Sequence, residues 1–192
     1  TAVSNNSFLY LSDSAFKFSG DDSYIEISNE NGQFSLDRFT LSTWVKIEND
    51  RLQSIIYKKG GGGNDDNYHL FIKNKAIVFK VEEEITDRDF EVSANFDQFS
   101  SFAHLVAICG DNGLFLFING KLSSIKLVSK GSLYKGNNVL MIGSAQNRTD
   151  GQGSGPGFEG VIDNVRIYNR ALSEEEVAAL YELEKPSAPK IT

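Results

Sequence analysis

The stretch FTLSTWVKI constrains this chain more than any other. In an extended strand Phe39, Leu41, Thr43, Val45 and Ile47 fall on one face, and Thr40, Ser42, Trp44 and Lys46 on the other. Such period-two alternation marks a strand that packs one face against a core. YIEISN, QSIIYKK, YHLFIK, AIVFKV, HLVAICG, LFLFING, SIKLV, NVLMIG and VIDNVRIY read as further strands. Turn signals separate them: NENG, GGGGNDDN, GDNG, NG, KGNN and QNRTDGQGSGPG. ICGDNGLFLF predicts a hairpin through Asp111, Asn112 and Gly113. FINGKL predicts another, because Asn119-Gly120 tolerates the positive φ angles of a two-residue turn. Many short strands with tight turns imply an all-β chain of two stacked antiparallel sheets.

Composition narrows the function. The net charge of −7 argues against nucleic acid, whose phosphates need a basic face. No apolar run approaches the roughly 20 residues of a membrane span, so no membrane insertion is expected. Met141 is the single methionine and the chain does not start on one, which reads as a piece of something larger. One cysteine, Cys109, excludes an internal disulfide and reads as a small buried apolar residue. His104 stands five positions before it, an odd spacing that puts the two on opposite faces of a strand and argues against a Cys/His enzyme.

The chain ends on a helix signal. Ser173 and Glu176 have the spacing of a capping box, and Leu172 and Val177 that of a hydrophobic staple. Glu174, Glu175 and Glu176 suit the positive end of the helix dipole. Val177, Leu180 and Leu183 recur at helical spacing. A helix of about three turns is too short to stand alone and is expected to cover one end or edge of the sandwich. Residues 1–184 are read as one domain, and the proline-bearing tail 185–192 as a linker toward a following one. Asp163, inside an apolar strand, needs a cation, a donor or exposure.

Several segments together resemble the laminin-G-like, concanavalin-A-like jelly-roll family of large secreted bacterial proteins. SAFKFSGDDSYIEI (14–27) resembles its opening strand pair, FTLSTWVKI its Trp-bearing strand, and FAHLVAICGDNGLFLFINGKL (102–122) its central hairpin. VLMIGS (139–144) and FEGVIDNVRIYNRALSEEEVAALY (158–181) resemble its closing strands and terminal helix, the last being the most specific. The resemblance implies a jelly-roll sandwich, extracellular or at the cell surface, that is mostly non-catalytic. It also implies a structural calcium held by the Gly20 carbonyl, Asp22 and Asp163. Two positions depart from the family pattern. Phe102-Ala103-His104 stands where the family often has Trp before His, and Ser19 replaces an Asp that precedes the glycine.

Ligand-binding candidates lie in polar loops. In GGGGNDDNYH, Asp65, Asp66 and Asn67 offer oxygens to sugar hydroxyls, and the loop lacks the Lys-Ser/Thr ending of a phosphate loop. In SAQNRTDGQGSGPG, Asn147, Arg148 and Asp150 offer further polar contacts, and the loop is long for a hairpin connection. Tyr68 and Tyr134 are the aromatics placed to stack on a ring. VEEEITDRDFEV puts Asp87, Asp89 and Glu91 on one face if it is a single strand, but EITDRDFE does not match the Glu-x-Asp-x-x-Glu signature of the related glucanases. The expected function is therefore a non-catalytic, lectin-like module that binds a glycan or polysaccharide. The alternatives are a spacer or protein-binding domain of a surface adhesin, with a cell-surface protein as partner, and, third, a glycoside hydrolase.

Overall fold

The computed structural model describes residues 15–20, 23–60, 65–145 and 157–185, together with the backbone of 9–11. Its strands are β1 (Leu9–Leu11), β2 (Phe16–Ser19), β3 (Ile25–Ile27), β4 (Phe39–Ile47), β5 (Gln53–Lys59), β6 (Asp66–Lys73) and β7 (Ala76–Glu83). They continue as β8 (Arg88–Asn95), β9 (Phe102–Cys109), β10 (Gly113–Ile118), β11 (Lys121–Leu127), β12 (Leu140–Ile142) and β13 (Glu159–Tyr168), and helix α1 (Glu174–Glu184) follows. Every strand pair is antiparallel. One sheet runs β1-β13-β4-β9-β10-β11, with β2 also on β13; the other runs β3-β12-β5-β6-β7-β8. The expected two-sheet jelly-roll sandwich is what forms.

Alternation in β4 sorts its side chains as expected. Phe39, Leu41, Val45 and Ile47 join the core between the sheets, with Leu105 and Ala107 of β9 and Tyr68, Leu70, Ile72 and Phe79 from the facing sheet. Phe39 anchors this layer, with its ring 4.6 Å from that of Tyr68 and 6.0 Å, edge-on, from that of Phe79. Both predicted hairpins form. Leu114 pairs with Cys109 across the first, and in the second Asn119 and Gly120 take φ of 52° and 74°.

The helix is built as its sequence signals imply. The Ser173 side chain accepts the Glu176 N–H, and the Glu176 carboxylate accepts the Ser173 N–H. Its position differs from expectation: it covers the outer face of the seven-stranded sheet rather than an end or edge. That face presents Val106, Ile108, Phe117 and Tyr168, which pack with Leu172, Val177 and Leu180 in a second core. An apolar sheet face needs such a cover. Leu183 is 73% exposed and is no part of this contact.

The helix end is also pinned electrostatically. Glu184 accepts the Trp44 indole N–H (3.0 Å) through one carboxylate oxygen and the Arg166 Nε–H (2.6 Å) through the other. The Trp44 ring lies 5.1 Å from His104 and 5.8 Å from Tyr181, both nearly parallel to it. Asp163 finds its donor in the backbone. Its carboxylate accepts the Asn164 N–H (2.8 Å), Asn164 sits at φ 49°, and the pairing with β4 shifts register between Asp163 and Arg166. This β-bulge lets both Ile162 and Val165 face the core, which strict alternation forbids.

Candidate functional site

With Tyr68, Leu70, Ile72, Phe79 and Val81 turned inward, the alternate residues of the six-stranded sheet face outward. The register lines up Glu26, Met141, Tyr57, His69, Lys80 and Glu91 in one row across the sheet. The centre of the row is aromatic and largely covered, with Met141 and Tyr57 both buried. His69 is half-buried, with its ring 5.0 Å from Tyr57 and 4.5 Å from Phe71, and its Nε2 is 3.0 Å from the Ser54 hydroxyl. Burial lowers the His69 pKa to about 4 and outweighs the pull of Asp66, so the imidazole is neutral at physiological pH.

Polar groups gather at the end of this face where Asp65 meets the β7–β8 turn. Lys80 bridges Asp66 (2.6 Å) and Asp89 (3.2 Å). Burial opposes its charge, but the two carboxylates prevail and hold the ammonium above its ordinary pKa. Glu82 accepts the Asp66 N–H, and burial still raises its carboxyl pKa. Asp65, Glu82 and Asp87 bring one oxygen each within 4.8 Å of one another. The Tyr134 hydroxyl donates to Asp87 (3.1 Å). Desolvation, that hydrogen bond, and the charges of Asp65 and Glu82 push the hydroxyl up to about 12.

Tyr134 is held there by backbone proximity. A Cβ on Gly60 would lie 2.4 Å from the Tyr134 Cβ, so the segment around Tyr134 needs a glycine beneath it. Fully buried Lys58 donates to the Gly136 carbonyl (3.0 Å), which also accepts from Asn29 (2.8 Å) and Ser35 (2.7 Å). Burial lowers the Lys58 pKa to about 8. The Asn138 amide donates back to the Gly60 carbonyl (2.9 Å).

Of the residues singled out from sequence, Asp65 and Tyr134 meet on this rim, and Asp66 is beside them, ion-paired with Lys80. Two are corrected. Tyr68 is fully buried against Phe39, because its parity on β6 points it into the sandwich, and so it is no stacking platform. Asn67 is also fully buried, its amide accepting from and donating to the Leu36 backbone (3.0 and 3.1 Å). Asp87 occupies the turn between β7 and β8 at φ 53°, so it does not share a strand face with Asp89 and Glu91. Asp22, Asn147, Arg148 and Asp150 lie outside the described residues.

Of the calcium ligands inferred from the resemblance, Gly20 and Asp163 are described, and they stand apart. Gly20 donates to the Phe158 carbonyl, which places it five positions from Asp163 along β13, roughly 16 Å at ~3.3 Å per residue. Among the described residues, the acid beside Gly20 is Glu159. Cys109 and His104 do lie on opposite faces of β9, and burial pushes the Cys109 thiol up to about 12, which leaves it inert.

The residues that sequence reasoning missed are Tyr57, His69, Lys80 and Glu82. Period-two parity in YHLFIK and AIVFKVEE carried the signal for His69, Lys80 and Glu82, whereas the irregularity between Ser54 and Ile56 hides that of Tyr57. Counting outward from the core positions selects those three once the pairing of these strands is known.

A family model described as the concanavalin A-like lectin/glucanases superfamily matches residues 19–178. The chain belongs to that superfamily. Solved structures agree on this concanavalin A-like fold. The CBM40 of the Ruminococcus gnavus IT-sialidase, bound to α2,3 sialyllactose, superposes with a TM-score of 0.71 at 19% identity, over 91% of this chain and 99% of that one. The binding domain of botulinum neurotoxin serotype D gives 0.69 at 18% identity, over 88% and 42%. A Trypanosoma rangeli sialidase gives 0.65 at 20%, over 86% and 26%. This concanavalin A-like domain thus spans less than half of the neurotoxin domain and about a quarter of the sialidase chain. A sequence search among curated proteins returned no match.

Proposed function

We propose that this domain is a non-catalytic carbohydrate-binding module whose ligand lies on the outer face of the six-stranded sheet. The observation that carries the reading is the rim of that face, where Lys80 is flanked by Asp66 and Asp89 and the part-exposed Tyr134 ring stands beside Asp87, with half-buried His69 next to Lys80 in the row. Sugars present hydroxyls to such groups and C–H faces to rings. The likeness to a CBM40 over nearly its whole length supports the same reading. The polar end pairs Lys80 with Asp66 and Asp89 and adds Asp65, Glu82 and Asp87. Among the described residues, this charge pattern favours neutral, hydroxyl-rich glycans over sialic acid. We read the parent protein as extracellular, with the module directing it to a polysaccharide or a cell-surface glycan.

Asp65, Glu82 and Asp87 prompt a second reading, a glycoside hydrolase, which uses two carboxyl groups about 5–9.5 Å apart, although their nearest oxygens lie within 4.8 Å, short of that range. Glu82 and Asp87 instead hold the Asp66 N–H and the Tyr134 hydroxyl, which suits a binding role. A glycan array of neutral and sialylated oligosaccharides tests both readings. Retention of neutral glycans, without release of reducing ends on prolonged incubation, is the expected result. Release of reducing ends that stops in Glu82→Gln would establish the hydrolase. A folded sample that retains no glycan would point to the adhesin or spacer alternative.

A further inference from the structure

Where β2 meets β13, the described residues of the corner beside Gly20 bond to one another. Arg51 Nη2 pairs with Glu159 Oε1 (2.5 Å), and the Asn49 amide donates to Glu159 Oε2. The Arg51 guanidinium stands 3.3 Å from where a Gly20 Cβ would lie. The Gly20 carbonyl, an expected calcium ligand, accepts the Ser23 N–H (3.1 Å). Asn49 is bound in turn: its side-chain oxygen accepts from the Arg51 N–H (3.1 Å) and from Gln53 (2.8 Å), and the Gln53 oxygen accepts the Glu159 N–H (2.7 Å). A divalent cation needs six to eight oxygens with free lone pairs. Here both Glu159 oxygens already face donors, and one of those donors carries a full positive charge.

We propose that Arg51 replaces a structural calcium at this corner, tying the β4–β5 connection to β13 without metal. The fixed guanidinium charge does what a bridging cation does: it neutralises Glu159 and joins two chain segments. The corner is then indifferent to chelators and dependent on Arg51.

Thermal unfolding of the intact chain, with calcium chloride and with EDTA, tests this in wild type, Arg51→Gln and Glu159→Gln. The wild-type Tm is expected to agree within about 1 °C between the two conditions. Arg51→Gln is expected to melt about 2–4 °C lower in both, as suits a half-exposed pair in a domain of this size. A site holding calcium at a hundred times its Kd would raise the Tm by about 5–10 °C. Such a rise in wild type, abolished by Glu159→Gln, would overturn the proposal, as would an Arg51→Gln protein as stable as wild type in EDTA. A rise that persists in Glu159→Gln places the ion elsewhere and leaves the corner metal-free, as proposed.

Discussion

Acidification below pH 6.5 is expected to destabilise this domain steeply, because both histidines, His104 buried and His69 half-buried, are held neutral in the fold. Burial lowers His69 to about 4 and His104 to about 3, against about 6.5 in an unfolded chain. Below pH 6.5 the unfolded chain therefore binds protons that the folded chain refuses, and stability falls with pH. The loss runs until pH reaches each folded-state value, at up to about 1.4 kcal/mol per pH unit per histidine. His104 has nowhere to put a second proton. Its Nε2 faces the Ser42 hydroxyl, its Nδ1 has no partner among the described residues, and Arg166 adds a repelling charge. Together the two are worth about 5 kcal/mol at pH 4.5, or a Tm lower by about 10–20 °C. Calorimetry from pH 7.5 to 4.5 checks this: a Tm level above pH 7 and falling below 6 is expected. A flat profile to pH 4.5 would show that the imidazoles ionise freely in the fold.

Glu184→Ala is expected to cost about 3–5 kcal/mol. The side chains of Glu184 and Arg166 are 5% and 10% exposed, so truncating the acid takes the Glu184 carboxylate away from a buried guanidinium. The same change strips the Trp44 indole of its acceptor, a further unsatisfied donor. Trp44 is the single tryptophan, so its fluorescence reports directly on the seating of the helix end. The variant should melt about 10 °C lower, with Trp44 emission shifted to the red. Replacing both partners by apolar residues, Arg166→Met with Glu184→Leu, should recover much of the loss, since a buried pair stabilises little beyond its own desolvation cost. A Glu184→Ala protein with unchanged Tm and emission would show that the helix is held by Val177 and Leu180 alone.

The sandwich was legible because its signal is local. The alternation of Phe39 to Ile47, the Asn119-Gly120 turn and the Ser173–Glu176 box each depend on neighbours within a few positions. The site was only partly legible because it depends on pairing. Asp65 and Tyr134 are 69 positions apart in the chain and meet only because Gly60 lets the Tyr134 backbone approach. Tyr68 looked like a loop aromatic, but one residue of parity separates a core ring from a surface one. Asp163 looked like a ligand because an acid in an apolar strand demands a partner. The bulge at Asn164 supplied that partner through a positive φ that no spacing rule announces. Arg51 and Glu159 are 108 positions apart and come together only through the register of β13 with its neighbours.

The central claim is that the ligand lies on the outer face of the six-stranded sheet. The most direct test takes the strongest neutral glycan from the array and titrates it by calorimetry into wild type, Lys80→Met and Tyr181→Ala. Lys80 is on the proposed face, whereas Tyr181 packs at the helix on the opposite sheet. Lys80→Met is expected to weaken binding by about tenfold or more, as suits loss of a charged hydrogen bond, and Tyr181→Ala to leave it unchanged. Full affinity in Lys80→Met, with loss in Tyr181→Ala, would place the ligand on the helix-covered sheet and contradict the account.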